Sequence, residues 1–284
     1  VKFQKLESTD AFVVRDLEAA HTAVGIARLA PKVLRDGAEL LARSTTYAFA
    51  AFGVEGHTGA SAGVNAKPDD RDAAIAAFVS ELTASSDGDG ALHLQPGVGL
   101  TAADLGPLGF EPDPAALATG AAAAADSVLG GLGGSRAVVH GAHPELLDAM
   151  RQALGKHNAA DVAEGEITAA CDVLFVAGKA GIVDHELAEG IDARGIVPLT
   201  PVPVTARGYA VLRKADKVYV PDFVSTAGPL LQRFGGVIDP DEQIATLARE
   251  LASAGAGAFL VAVGLAEAFL ASWQDETPFG RPLA

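Results

Sequence analysis

The stretch SRAVVHGAHPELLDAMRQAL, residues 135–154, decides how the rest of the chain is read. It runs as a short apolar strand, a turn and an amphipathic helix, the order in which a nucleotide-binding βαβ unit begins. Its turn carries one glycine, Gly141, where such units carry three. The scaffold of a dinucleotide site is expected here, with its fingerprint reduced.

Downstream the alternation continues. CDVLFVAG at 171–178, a helix over 184–193, the strand GIVPLTPV from Gly195, a helix over 204–214 and the strand KVYVPDFV at 217–224 follow one another. Strand and helix in strict alternation predict a parallel sheet covered by helices, with ligands at the carboxyl ends of its strands. Two amphipathic helices parted by SAGAG fill 240–274 and end at Trp273. Upstream, PDPAALATGAAAAADSVLGGLGG at 112–134 reads as a helix start, an alanine-rich helix and a flexible glycine exit, which marks a domain boundary.

The first segment is of another kind. FVVRD at 12–16 and TAVGIARL at 22–29 have the composition of an antiparallel pair. A long helix is expected over Val33–Phe52. GVEGHTGASAGVN at 53–65 reads as a glycine-punctuated loop, a helix starts at Asp69 and ends at SSDGDG, and ALHLQPGVG at 91–99 reads as a strand entering a turn.

Composition narrows the function. With 284 residues, 49% hydrophobic and 20% charged, the chain has enough material for one large domain or two ordinary ones. A net charge of −15 argues against a nucleic-acid groove and against attraction to an anionic membrane. No apolar run reaches the about 18 residues of a membrane span, and VKFQKLESTD lacks the apolar core of a signal peptide, so a cytoplasmic address is expected. A lone Cys171 excludes an internal disulfide and a cysteine zinc cluster, and its place at the start of an apolar strand makes it a core residue.

Taken in order, three stretches resemble one family. ACDVLFVAGKAGIVDHELAEGIDARGIVPLTPVPVTARGYAVLRKADKVYVPDFVSTAGPLL is similar to the cofactor domain of the glutamate/leucine/phenylalanine/valine dehydrogenases. TAVGIARLAPKVLRDGAELLARSTTYAFAAFGVEGHTGASAGV is similar to their substrate domain, and LAEAFLASW to their closing helix. The resemblance implies an α/β fold of two domains: a mixed α/β dimerisation and substrate-like domain over 1–129, and a truncated Rossmann-like parallel-sheet domain over 130–235. Helices over 236–284 would pack back on the first domain. It also implies a homo-oligomer.

The family's chemistry passes an amino acid's α-hydride to nicotinamide. It uses a lysine that anchors the substrate carboxylate, a second lysine of lowered pKa that activates water, and an aspartate that shuttles protons. On the resemblance those three positions are held here by Ala48, after Thr46 and Tyr47, by Ser61 in GASAGV, and by Gly97 in QPGVGL. None replaces a cation or a proton carrier, so no catalytic residue is expected. The cofactor turn is depleted in the same direction. Gly141 is kept, but His143 and Leu146 take the second and third glycine positions, and Pro144 removes an amide hydrogen from the helix terminus. The next strand reads as almost deleted within GKHNAADVAEGEITA, which leaves Asp161 as the acid for the adenosine ribose. Thr226 stands at the family's asparagine, ahead of Gly228 and Pro229, and Asp222 belongs to a structural turn.

No cofactor is therefore expected, NAD(P) being implied only if the family's activity survives, and no metal. His140, His143 and His157 fit no ligand spacing. Gly25, His57, Thr58, Ser61 and His93 are the cleft candidates, and a Ser–His pair among them could supply nucleophile and base. The acids of EITAACD and DHELAEGID read as helix caps and solvated faces. Two functions compete: a non-catalytic protein that binds a protein partner through the family's oligomer surfaces, and a repurposed enzyme acting on an amino-acid-like ligand. A dehydrogenase with relocated lysines is the third.

Overall fold

The computed structural model describes residues 1–84, 90–275, 277 and 280–284, in two units: Val1–Tyr47 with Val54–Pro112 and Ala271–Pro282, and Ala48–Gly53 with Asp113–Leu270 and Leu283–Ala284. Among the described residues no helix is long and apolar enough to cross a membrane.

In the first unit the strands are β1 (Lys2–Lys5), β2 (Ala11–Arg15), β3 (Thr22–Ala30), β4 (His57–Asn65) and β5 (Ala91–Pro96). The helices are α1 (Arg35–Ala51), whose residues from Ala48 onward count with the second unit, α2 (Arg71–Ala84) and the single turn α3 (Ala102–Leu105). The sheet order is β1-β2-β4-β3-β5. Two expectations are corrected. β2 and β3 are not an antiparallel pair, because β4 lies between them, antiparallel to β2 and parallel to β3. The stretch over 53–65 is not a loop but ends in β4, the central strand. Its glycines and alanines serve close packing: a Cβ on Gly59 would lie 1.7 Å from the Ala42 carbonyl of α1, and one on Gly63 2.6 Å from the Phe12 ring. With no bulk on β4, α1 lies directly on one face of the sheet. The other face is apolar, with Val13, Ala23, Ala27, Ala60, Ala62 and Val64 packed with Ile75 and Phe78 of α2. The SSDGDG run expected to stop α2 lies, but for Gly90, outside the described residues.

The second unit opens with α4 (Pro114–Leu129). Asp113 caps it by accepting the Ala115 amide at 2.8 Å, Pro114 fills its first turn, and Gly130 ends it at φ 74°. The alanine-rich run is the buried central helix of this unit, which corrects the boundary expected near 129: α4 belongs with the second sheet. Small residues permit this. A Cβ on Gly120 would lie 2.8 Å from Ile244, and one on Gly228 2.2 Å from the Ala116 carbonyl.

Then follow β6 (Arg136–His140), α5 (Pro144–Lys156), β7 (Asp161–Glu164), β8 (Val173–Val176), α6 (His185–Gly190), β9 (Gly195–Pro198), α7 (Ala206–Lys214), β10 (Val218–Tyr219), α8 (Asp222–Ser225), α9 (Gly228–Phe234), α10 (Pro240–Ala252) and α11 (Ala258–Leu270). The sheet is parallel with order β10-β9-β8-β6-β7. The strand read as deleted is present: β7 pairs with β6 from Arg136↔Asp161 to Val139↔Glu164. β10 is shorter than expected because Pro221 turns the chain into α8.

The last helices also depart from expectation. α10 packs on α4, and α11 reaches β10 through Phe259, whose ring lies 5.0 Å from Tyr209 and 5.8 Å from Tyr219. Both helices are part of the second unit, and it is the segment Ala271–Pro282 that belongs to the first.

Candidate functional site

In the second sheet the strand order reverses beside β6, with β7 on one side and β8 on the other. The carboxyl ends of β6 and β8 form the switch point at which open α/β sheets take their ligands. Gly141 makes the turn there at φ 71°, and a Cβ on it would lie 2.4 Å from the Ala177 carbonyl of the neighbouring strand. This glycine meets two demands that no other residue meets together.

Beyond it the α5 terminus is closed by its own residues. His143 is the N-cap, its Nδ1 accepting the Leu146 amide at 3.4 Å, so the ring proton sits on Nε2. Pro144, at the first helical position, has no amide hydrogen. Glu145 sets a carboxylate in the positive first turn, and Leu146 is buried in the core. A pyrophosphate cradle needs free amides and open backbone at this point; the residues present do not fit one. His140 donates from Nδ1 to the Gly165 carbonyl at 3.0 Å, a structural bond.

The residue expected as the acid for a ribose lies away from the carboxyl ends of the strands. Asp161 begins β7, at the amino end, 3.8 Å from Arg136. Glu164 ends β7 at the carboxyl edge and was missed because the strand itself was not recognised. The neighbouring loops are tied together. Thr200 Oγ1 accepts the Gly178 amide at 3.1 Å and donates to the Gly178 carbonyl at 2.9 Å. Buried Asp222 accepts the Val202 amide at 2.8 Å and fixes Val202 at φ 54°, a left-handed conformation rare for a β-branched residue. Thr226 donates to the Asp222 carbonyl at 2.8 Å, a local bond. Asp184 caps α6 through the Leu187 amide at 2.9 Å. Burial pushes the Cys171 thiol up from its ordinary value.

In the first unit the cleft candidates are dispersed. Ser61 is a buried strand residue that donates to the Ile26 carbonyl at 3.2 Å. His93 pairs with Val24 on the far side of β3, two strand spacings or about 10 Å from β4, so no Ser61–His93 pair forms. His57 donates to the Glu55 carbonyl at 3.0 Å, and Thr58 accepts the Leu17 amide at 2.8 Å. Gly25 is a packing residue: a Cβ there would lie 1.6 Å from the Ala60 carbonyl. Ala48 is buried, and Gly97 donates to the Ala27 carbonyl at 2.7 Å. Among the described residues no three His, Cys, Asp or Glu side chains gather as a metal site.

One ionic network was not foreseen. Arg43 Nε donates to both oxygens of Asp16, at 2.8 and 2.9 Å, with the two side chains 6% and 0% exposed, and Arg43 Nη1 donates to the Gly280 carbonyl at 2.7 Å. Burial raises the Asp16 carboxyl and the Arg43 charge pulls it back.

No family model and no curated protein matches the sequence. Solved structures do. L-tryptophan dehydrogenase from Nostoc punctiforme superposes with a TM-score of 0.70 at 18% identity, over 95% of this chain and 96% of that one. The chain has the amino-acid dehydrogenase fold. A hetero-hexameric glutamate dehydrogenase from Thermus thermophilus, solved with leucine bound, shares this fold at a TM-score of 0.69 and 17% identity, over 91% and 84% of the two chains. So does glutamate dehydrogenase of Plasmodium falciparum, at 0.68 and 14%, over 92% and 79%.

Proposed function

We propose that this chain uses the dehydrogenase fold without its reaction: a non-catalytic protein that neither binds a nicotinamide dinucleotide nor deaminates amino acids, and that acts by associating with protein partners. The observation that carries this reading is the first turn of α5, where His143 takes the Leu146 amide, Pro144 has none to offer and Glu145 adds negative charge. Ser61 supports it, because its hydroxyl is buried and bonded to backbone. General acid–base groups commonly contribute about 10²–10⁴ in rate, and no amine stands at Ala48 or Ser61 to supply them.

The test is an assay for reduced nicotinamide with NAD or NADP and L-glutamate, L-leucine, L-tryptophan or L-phenylalanine. No turnover is expected, and saturable formation of reduced cofactor refutes the reading. The hetero-hexameric glutamate dehydrogenase of the same fold supports association by analogy, and light scattering of the purified chain tests it.

A further inference from the structure

Two loops of the second unit leave the carboxyl ends of β8 and β9, the side on which open α/β sheets take ligands. They are joined as a short parallel ribbon. The Val183 amide donates to the Pro203 carbonyl at 2.9 Å and the Thr205 amide to the Val183 carbonyl at 3.0 Å, with Val183 and Val204 as partners. The Gly181 amide donates to the Val202 carbonyl at 2.9 Å.

A ribbon has an edge, and an edge accepts a further strand through its backbone groups. Here the added segment is Leu283–Ala284, which belongs to the same unit. The Ala284 amide donates to the Val204 carbonyl at 3.3 Å, and the Ala206 amide donates to the Ala284 carbonyl at 2.8 Å. The two bonds flank Thr205, which is the pattern of a parallel pair. Ala206 is the first residue of α7, so its amide has no acceptor within the helix and is open to one from outside.

Side chains limit what lies on this edge. Gly181 sits at φ 71°, and a Cβ on it would lie 3.3 Å from Ala284 Cβ and 3.4 Å from Thr205 Cγ2. A small residue fits beside Gly181, and proline does not, because the amide at that position is a donor. Thr205 Oγ1 is engaged in accepting the Gly208 amide at 2.9 Å. Recognition therefore falls to backbone, which another extended segment supplies equally well. The hold on Leu283–Ala284 is light, and both residues are only half-buried.

We propose that the edge Val204–Ala206 is a strand-addition site for an extended segment of a protein partner with a small residue beside Gly181, and that Leu283–Ala284 occupies it in cis until displaced. The proposal rests on the reading that this chain acts through protein partners, and it names where a partner docks.

The test is titration with the acetylated and amidated peptide Gly-Arg-Pro-Leu-Ala, residues 280–284, followed by the Ala206 amide resonance in the intact chain and in a variant cut after Pro282. Saturable binding that is about tenfold or more tighter in the cut variant is expected, because the tethered segment competes at high effective concentration. The Ala284→Trp form of the peptide should not bind. If the cut variant fails to fold, Ala284→Pro in the full chain, which removes the amide donor, takes its place. No saturable shift once the edge is released, equal affinity in intact and released chains, or equal binding of the two peptides overturns the site. An oligomer in light scattering whose released edge takes no peptide sinks the site alone; formation of reduced nicotinamide sinks the non-catalytic reading and leaves the peptide result standing.

Discussion

The Leu146 amide donates to His143 Nδ1 across the first turn of α5. A bond of this kind takes one of the few free donors at a helix start, and here it takes a donor that an anion at that terminus would use. At this terminus one donor is thus bonded within the helix and Pro144 offers none.

Loss of the cap is measurable. His143→Ala should lower stability by about 0.5–1 kcal/mol, and His143→Asn, with a better capping side chain, should restore it or exceed the wild type. Thermal unfolding of the two variants checks the order. Equal melting of His143→Ala and wild type would show that the 3.4 Å bond contributes nothing.

Gly141 answers to backbone and packing together. Gly141→Ala should cost about 1–3 kcal/mol for its left-handed backbone alone, and more for the contact with the Ala177 carbonyl. Denaturant unfolding reads this, and a neutral substitution would contradict the close approach of β6 to β8.

The Asp16–Arg43 pair is buried, so breaking it leaves a charge without a partner. Arg43→Met should destabilise the protein by about 3–5 kcal/mol and free the segment around Gly280 from α1. Unfolding with limited proteolysis near residue 280 tests both halves. Loss of stability without new cleavage would mean that Gly280 is held otherwise.

Acid should weaken the β1–β2 connection. Glu81 accepts the Glu7 and Ser8 amides, at 2.9 Å each, and the Ser8 hydroxyl, and these bonds hold its carboxyl below the ordinary glutamate value of 4.5. Its stabilisation is present above pH 4.5 and is lost as pH falls through the lower folded value. Glu81→Gln should flatten the acid limb of the melting curve, and an unchanged limb would assign it to other carboxylates.

Much of this was legible in the sequence. The alternation after residue 135 gave the parallel sheet, and Pro114 with Gly130 gave the bounds of α4. What misled was small side chains. GASAGV is rich in glycine because α1 lies on it, and composition alone does not separate a loop from a strand stripped for close packing. β7 was overlooked because four residues flanked by polar ones carry little periodicity, and Glu164 was lost with it. The Asp16–Arg43 pair, 27 residues apart, was invisible because contact across such a separation is a property of three dimensions.

The central claim is that the α5 terminus has no place for a pyrophosphate. Calorimetric titration of the purified chain with NAD and with NADP into the millimolar range tests it most directly. No saturable heat is expected for either nucleotide; saturable binding that is lost in Gly141→Ala while the protein remains folded would contradict it.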